Sequence, residues 1–195
     1  NAELIRSFRN KAGADKADLI IFSELNLSGY PPEDLILRKS FLDTVEQYAN
    51  DLAMETNDGG PAMVIGAPWR LNGECYNAAL VLDNGKIETV RFKYHLPNYG
   101  VFDEKRVFQE GQLSGPVSIR GVRFSLLICE DMWFSDVSET ALESGADILV
   151  VLNGSPYEIE KNNSRISHAV ARVSETKKPL IYTNQIGGQD ELVFD

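Results

Sequence analysis

The chain has 195 residues, of which 43% are hydrophobic and 25% charged, a balance typical of a globular domain with its own core. Its formal net charge of −10 argues against general nucleic-acid binding, which needs clustered Lys and Arg side chains. No apolar run approaches the roughly 20 residues of a membrane helix, and no signal peptide is visible at Asn1. We expect one cytoplasmic domain over residues 1–195, without a nucleic-acid or membrane partner.

The beginning of the chain combines a helical pattern with a strand pattern. Apolar residues at helical spacing predict a helix over Asn1–Lys11, which Gly13 would end. The short apolar run Leu19–Phe22 is flanked by polar residues and predicts a buried strand. A loop with two adjacent prolines follows at Asn26–Glu33.

The clearest helical pattern covers Ser40–Thr56. Ser40 is a candidate N-cap, because a serine hydroxyl can accept a hydrogen bond from a free N–H of the first turn. Apolar residues recur on one face of this helix, namely Phe41, Val45, Tyr48, Ala49 and Leu52. A second buried strand is predicted at Met63–Gly66.

Two hairpins are predicted in the middle of the chain, each with a glycine that supplies the positive φ of a tight turn. The first pairs Asn77–Leu82 with Ile87–Phe92 across Asp83-Asn84-Gly85, and the second pairs Val117–Ile119 with Val122–Ile128 across Arg120-Gly121. The stretch between them, Tyr94–Gly111, has no regular pattern.

Helices and strands continue to alternate in the last part of the chain. The predicted elements are a helix at Val137–Ser144, a strand at Ile148–Leu152, a helix at Lys161–Thr176, and strands at Leu180–Thr183 and Leu192–Phe194. In the Lys161 helix, Ile166, Val170 and Val173 are expected to face inward. Because hairpins interrupt the alternation, the pattern favours an α/β fold with mixed sheets.

The chain has two cysteines, Cys75 and Cys129, and two histidines, His95 and His168. No pair among them has the spacing of metal ligands, so we expect no metal site. Two cysteines are too few for a disulfide scaffold, which favours a reducing compartment. A Cys–His catalytic dyad stays open, although the chain offers few candidates for it.

Three strand-like segments end abruptly in an ionisable residue: Glu24, Lys93 and Cys129. In α/β folds, ligand sites lie beyond the carboxyl ends of strands. A thiol becomes a strong nucleophile when a base removes its proton, and Glu24 is suited to that task. Lys93 and the backbone N–H after Cys129 would stabilise an oxyanion. Together these groups would support acyl transfer from an amide through a thioester.

Each of the three residues also has a plainer interpretation. A cysteine at the end of an apolar strand is usually a small core residue. A glutamate in that position is usually solvated or a helix cap, and a lysine is ordinarily a surface charge. Spacing alone leaves both interpretations open.

Three segments resemble the signatures of the nitrilase (carbon–nitrogen hydrolase) superfamily, which uses a Glu–Lys–Cys triad in this chain order: Phe22–Leu35, Lys93–Arg106 and Ile128–Trp133. Three runs are more specific and resemble the glutaminase domain of glutamine-dependent NAD synthetases: Tyr30–Asp34, Asn98–Arg106 and Gln185–Phe194. The resemblance covers nearly the whole chain.

The resemblance implies a set of catalytic residues and a set of substrate-binding residues. The catalytic group is the base Glu24, the electrostatic partner Lys93, the nucleophile Cys129, and Glu104, which would help to position the lysine and the substrate. The substrate-binding group is Tyr99, Glu130, Ser155 and Lys161. A structural cap role for Glu130 and a solvated helix-start role for Lys161 stay open.

The resemblance also implies an α-β-β-α four-layer sandwich that often packs helix to helix with a second copy, hence a homo-oligomer. A complete domain of this kind begins with a strand before Asn1 and continues past Asp195, so we expect this chain to be incomplete at both ends. The implied function is hydrolysis of glutamine, with ammonia passed to a synthetase domain that is absent from this chain. That domain would use ATP and Mg to amidate deamido-NAD to NAD, whereas the domain described here would need no cofactor.

Two alternatives to this function remain. One is a free-standing nitrilase-type amidase acting on another small amide. The other is an inert fragment with a role in assembly.

Overall fold

A computed structural model describes residues 1–195, which form four α-helices, two four-stranded sheets and a two-stranded hairpin. The helices are α1 (Ala2–Ala14), α2 (Lys39–Glu55), α3 (Asp136–Glu143) and α4 (Lys161–Thr176). The strands are β1 (Leu19–Ile21), β2 (Ala62–Leu71), β3 (Glu74–Asp83), β4 (Lys86–Phe92), β5 (Val117–Ile119), β6 (Val122–Ile128), β7 (Ile148–Leu152), β8 (Leu180–Thr183), β9 (Gly187–Gln189) and β10 (Leu192–Phe194). Short 3₁₀ turns occupy Glu33–Leu37, Thr56–Asp58, Glu104–Arg106 and Cys129–Trp133.

Both four-stranded sheets contain parallel and antiparallel pairs. In the first sheet, with the order β1-β2-β3-β4, β1 runs parallel to β2 and the other neighbours are antiparallel. In the second sheet, with the order β5-β6-β7-β8, β5 is antiparallel to β6, and β6, β7 and β8 are parallel. The predicted α/β class with mixed sheets is therefore confirmed.

The two sheets stack face to face and carry helices on their outer faces. On the first sheet, Leu52 of α2 packs in one cluster with Leu80 of β3. The next residue of β3, Val81, points to the opposite face and packs against the second sheet. On the far face of the second sheet, Ala141 of α3 packs with Leu149 of β7. The layers follow the expected α-β-β-α order.

One hairpin of the first sheet was not predicted. The sequence indicated only a short strand at Met63–Gly66, whereas β2 continues to Leu71, turns at Asn72-Gly73 and pairs along its length with β3. Both turn residues have positive φ, 54° and 88°, as a tight two-residue hairpin turn requires. The next turn is likewise the pair Asn84-Gly85, and Asp83 belongs to β3.

The predicted N-cap of α2 is wrong. The helix begins at Lys39 after the extended residue Arg38, and no side chain caps it. Ser40 lies in the first turn, where its carbonyl accepts a hydrogen bond from the Thr44 hydroxyl at 2.9 Å. The Lys39 ammonium pairs with Asp43 one turn later at 2.7 Å, a spacing that supports the earlier start of the helix.

The predicted inward face of α4 is also wrong. Ile166, Val170 and Val173 are exposed, at 53, 57 and 37% of their surface. The helix instead buries Arg165 and Arg172, and both guanidinium groups donate hydrogen bonds to backbone carbonyls beneath it. Because all of these guanidinium nitrogens except Arg172 Nε have partners, the polar face of α4 can be the buried one.

Gly66 allows the loop that follows β1 to cross β2 at close range. A Cβ atom at this position would lie 2.2 Å from the backbone nitrogen of Leu25 and 2.6 Å from the carbonyl oxygen of Ser23. The Gly66 N–H donates to the side-chain oxygen of Asn26 at 2.7 Å. Glycine at this position therefore fixes the loop that carries Glu24.

We expect Gly66→Ala to lower the free energy of unfolding by about 3 kcal/mol, because the backbone on either side must move apart. Urea unfolding measures the change. The matched control is Gly13→Ala; Gly13 lies within α1 instead of ending it as expected, and the added Cβ would meet its nearest atom at 3.5 Å. Alanine is the better helix former by about 1 kcal/mol, so the control variant should be as stable as the wild type or more stable. A fully stable Gly66→Ala variant would contradict the close approach.

Candidate active site

The side chain of Lys93 lies fully buried at the centre of a charged cluster. Its backbone follows β4 directly, and its N–H donates to the carbonyl of Asn77 at 2.9 Å. Its ammonium donates to Glu24 Oε1 at 2.7 Å and to Glu104 Oε1 at 2.8 Å. Burial opposes the charged form, but the two carboxylates outweigh it and raise the pKa of Lys93 well above its ordinary value. The two carboxylates therefore favour the charged form of the lysine.

Glu24 is fully buried just beyond β1, on the loop that Gly66 fixes. Its N–H donates to the carbonyl of Asn153, at the end of β7, at 3.4 Å. Its Oε1 accepts hydrogen bonds from Lys93 and from the side-chain amide of Asn77, both at 2.7 Å. Its Oε2 has no protein partner although it is buried. The carboxylate thus has one bound oxygen and one free oxygen.

Glu104 provides a second buried carboxylate on the other side of Lys93. It begins the 3₁₀ turn Glu104–Arg106, and its Oε1 accepts a hydrogen bond from the Tyr30 hydroxyl at 3.2 Å. Burial and the charge of Glu24 raise the pKa of Glu104 to about 7, against the opposing effect of Lys93. The Lys93 ammonium is therefore shared between two carboxyl groups. Of these, Glu104 holds its proton more readily than an ordinary glutamate does.

Cys129 begins the 3₁₀ turn that follows β6, and its φ of +48° is rare for a residue with a side chain. Its thiol is buried. Burial and the charges of Glu24 and Glu104 raise the pKa of Cys129 well above its ordinary value, while Lys93 and the backbone N–H of Gly154 lower it. The resting thiol is therefore protonated and needs a base to become a nucleophile.

Tyr99 and Glu130 lie together at the edge of a cavity next to this cluster. The Tyr99 hydroxyl donates to both carboxylate oxygens of Glu130, at 3.0 and 2.9 Å. Glu130 is buried, whereas Tyr99 is half exposed. The cavity has a volume of about 340 Å³, and its walls include Tyr94, Pro97, Tyr99, Lys105, Glu130 and Phe134. A small polar molecule would meet a carboxylate that is already oriented.

Lys161 and Ser155 occupy separate environments. The Lys161 ammonium lies 5.3 Å from the centre of the Trp133 ring and 3.3 Å from a carboxylate oxygen of Glu158. Its side chain is 12% exposed, and Lys161 is the first residue of α4, so the helix-start interpretation stays open. The buried Ser155 hydroxyl accepts a hydrogen bond from Arg165 at 3.3 Å. The structure thus brings the four catalytic candidates together and pairs Tyr99 with Glu130, but it does not join Ser155 to Lys161.

Asp131 ties the lysine segment to the cysteine turn. Its Oδ1 accepts the backbone N–H groups of Tyr94 and His95 at 3.1 and 2.8 Å, and its Oδ2 accepts that of Ile128 at 2.9 Å. Burial raises the pKa of Asp131 to about 6, although the N–H groups of His95 and Ile128 oppose this. The bonds hold the residues after Lys93 in register with those before Cys129.

Sequence reasoning missed several residues around the cluster. Asn77 carried a usable signal, since it is a polar residue inside the otherwise apolar end of β3. Tyr30 and Asp131 lie inside the family motifs, but the site was assigned to other residues of those motifs. Gly154 lies just after the end of β7. A Cβ at Gly154 would lie 3.0 Å from Glu24 Oε2, so glycine leaves space beside that buried oxygen.

The remaining thiol lies apart from this chemistry, whereas the loop histidine lines the cavity beside Tyr99 and Glu130. Cys75 is half buried in β3, and burial raises its pKa to about 11. His95 is paired with Asp136 at 2.8 Å, and its ring lies 4.2 Å from that of Phe134. No group of three or more His, Cys, Asp or Glu residues is placed to hold a metal ion. None of the helices is long and apolar enough to cross a membrane.

Comparison with known proteins defines the class to which this fold and site belong. A family model described as carbon-nitrogen hydrolase matches residues 1–194. The chain therefore belongs to the carbon–nitrogen hydrolase family, as its motifs indicated. An amidase from Nesterenkonia sp. AN1, whose structure shows acrylamide added at the active-site cysteine, has a TM-score of 0.84 at 26% identity. That match covers all of this chain and 76% of the amidase.

Within the family, the chain is similar to glutamine-dependent NAD(+) synthetases. The protein from Xanthomonas campestris pv. campestris (strain 8004) is 42% identical over 183 residues, and the one from Rhodobacter capsulatus is 40% identical over 195 residues. These matches cover 92 and 100% of this chain but 33 and 35% of the relatives, so the chain spans about a third of their length. The synthetase structure from Acinetobacter baumannii in complex with adenosine diphosphate has a TM-score of 0.92 at 39% identity, covering 100% of this chain and 36% of that one.

The raised pKa of Asp131 predicts how stability depends on pH. The folded protein keeps this proton up to about pH 6, whereas an unfolded aspartate releases it near pH 3.9. Over this window the native state binds more protons, so its free energy of unfolding falls as pH rises. Relative to Asp131→Asn, the wild type should lose up to about 3 kcal/mol between pH 4 and 6. Urea unfolding of both proteins at several pH values tests this, and parallel curves would contradict it.

Proposed function

We propose that this chain hydrolyses the side-chain amide of glutamine through a thioester on Cys129. The observation that carries the proposal is the buried cluster in which Lys93 bonds to Glu24 and Glu104, with all three charges acting on the buried Cys129 thiol. The glutamine-dependent NAD(+) synthetases that share about 40% identity with this chain support glutamine as the amide.

In the first step, the sulfur of Cys129 attacks the amide carbon while Glu24 accepts the thiol proton. The base is needed because burial keeps the resting thiol protonated. The carbonyl electrons move onto oxygen, where the Lys93 ammonium and a backbone N–H stabilise the negative charge. Lys93 can do this at any physiological pH, because its pKa is raised well above its ordinary value.

In the second step, the carbon–nitrogen bond breaks, and Glu24 returns the proton to the departing nitrogen. Ammonia leaves, and the acyl group stays on Cys129 as a thioester. Glu24 then accepts a proton from a water molecule that attacks the thioester. The sulfur leaves and recovers this proton, so that glutamate and the original thiol are regenerated. Glu104 takes part by holding Lys93 in place.

The substrate-binding roles follow from charge. Glu130, held by Tyr99, would pair with the α-ammonium group of glutamine. Lys161 would attract the α-carboxylate from its position beside Trp133, and Ser155 would add a polar contact. One anionic side chain, Glu130, and one cationic side chain, Lys161, would thus match the two charges of an amino-acid head group.

We further propose that the released ammonia reaches a synthetase domain that uses ATP and Mg to convert deamido-NAD to NAD. The residues described here need no cofactor for their own step. The exposed apolar side chains of α4, Ile166, Val170 and Val173, support a homo-oligomer with helix-to-helix packing.

A second candidate function is hydrolysis of another small amide. The structural similarity to the Nesterenkonia amidase favours it. The two candidate functions differ in the substrate that they require. Only an amide with an amino-acid head group would use both Glu130 and Lys161. Comparing glutamine with butyramide as substrates separates them.

Replacing the proposed nucleophile tests the reaction. In the intact protein, Cys129→Ala should abolish NAD formation from glutamine and leave NAD formation from added ammonia unchanged, since ammonia bypasses this site. The matched control is Cys75→Ser, which should keep both activities because Cys75 lies away from the cluster. Loss of both activities in Cys129→Ala would contradict the assignment.

Replacing Glu130 tests the head-group contact. Glu130→Gln should raise the KM for glutamine by about 10-fold or more, with a smaller effect on kcat, because it removes a charged partner from the bound substrate. Glu139→Gln, which makes the same change at an exposed position of α3, serves as the control. An unchanged KM for glutamine in Glu130→Gln would contradict the head-group contact and leave the Glu130 side chain with only a structural role.

A further inference from the structure

Asn77 joins two members of the charged cluster, although no sequence motif pointed to it. It is fully buried in β3, where its neighbours Ala78 and Ala79 belong to the two apolar faces of the sheet. Its side-chain Nδ2 donates a hydrogen bond to Glu24 Oε1 at 2.7 Å, and its backbone carbonyl accepts one from the backbone N–H of Lys93 at 2.9 Å. Asn77 therefore contacts the proposed base through its side chain and the proposed cation through its backbone.

The contacts of the Glu24 carboxylate are unequal. Oε1 accepts two hydrogen bonds, from Asn77 and Lys93, whereas Oε2 is buried without a protein partner. Gly154 lies against Oε2, with its Cβ position 3.0 Å away, and its backbone N–H acts on the Cys129 thiol. Oε2 therefore faces Gly154, the residue whose backbone N–H acts on the thiol.

We propose that Asn77 is a positioning residue that holds Oε1 of Glu24, so that Oε2 is the oxygen that exchanges protons with Cys129. The inference rests on the proposed amide hydrolysis and adds to it the choice of the reacting oxygen. Without Asn77, only Lys93 would hold Oε1, and Lys93 is already shared with Glu104. The carboxylate could then rotate and engage the lysine through either oxygen.

An asparagine suits this position for two reasons. The amide can donate only from nitrogen, and the flipped amide would place Oδ1 against a carboxylate oxygen, so its orientation is fixed. The amide is also neutral, so it orients Glu24 without cancelling the charge that a base requires. A cation here would weaken the base, and another carboxylate would compete for Lys93.

The test uses two variants. Asn77→Leu has a similar size but no hydrogen-bond donor in its side chain, and Asn77→Ser is smaller and fits the same space. Both are made in the Cys75→Ser background, so that Cys129 is the remaining thiol. The two measurements are the pH dependence of Cys129 alkylation by iodoacetamide and the kcat and KM for glutamine. Alkylation needs no substrate, so it reports on Glu24 and Cys129 even if glutamine is not the amide.

We expect kcat to fall about 10- to 100-fold in both variants, with KM changed less than about 3-fold, since Asn77 is fully buried and does not line the cavity at Tyr99 and Glu130. The alkylation profile should shift to slower reaction at each pH, because the lost bond leaves the Glu24 carboxylate free to rotate. The titratable groups that face Glu24 are Lys93, Glu104, Tyr30, Cys129 and Tyr182, and all of them remain in the variants.

Thr56→Val is the matched control, because it removes a buried hydroxyl that bonds to Ala53 and Gly85 at the far end of α2. It should lower the melting temperature without moving the alkylation profile. A folded Asn77→Leu or Asn77→Ser variant with an unchanged profile and kcat would overturn the inference. If the wild type alkylates as expected but does not hydrolyse glutamine, the proposed function fails, and the shift in the variants still decides the role of Asn77.

Discussion

The buried ammonium of Lys93 is the interaction on which the site depends. A fully buried charge is costly, and it is tolerated here because two carboxylates, Glu24 and Glu104, bond to it at 2.7 and 2.8 Å. Removing one member of such a buried set typically costs 3 to 5 kcal/mol, since the remaining charges lose their partner. The same contacts that keep the cluster stable therefore hold the ends of β1 and β4 and the 3₁₀ turn of Glu104 in one place.

The layered fold converts this electrostatic constraint into a site. Glu24 and Lys93 follow strands of the first sheet, and Cys129 follows a strand of the second, so the stacking of the two sheets sets the distance between base and nucleophile. Neutral or backbone contacts then refine the geometry. Asn77 joins β3 to the Glu24 loop, and Asp131 joins the residues after Lys93 to the turn of Cys129. Specific orientation comes from these buried polar contacts and not from apolar packing alone.

The sequence predicts the parts of this arrangement that depend on local pattern. Apolar runs ending in Glu24, Lys93 and Cys129 indicated the site, because strand ends in α/β folds converge on ligand sites. The hairpin turn at Asn72-Gly73 was missed although its residues carry the usual turn signal. The buried face of α4 was not predictable from hydropathy, since it is set by carbonyl partners for Arg165 and Arg172 that only the tertiary structure provides. Asn77 is unusual as a polar residue beside an apolar strand run, but the sequence could not identify its partner, which lies 53 residues away in the chain.

The most direct test of the central claim is covalent labelling by a glutamine analogue that carries an electrophile at the amide position, read by peptide mass spectrometry. The account predicts one label per chain, located on Cys129, prevented by excess glutamine and strongly slowed in a folded Lys93→Met variant. Labelling of Cys75 instead, or equally fast labelling of Cys129 in that variant, would contradict the claim that the buried lysine organises the reactive thiol.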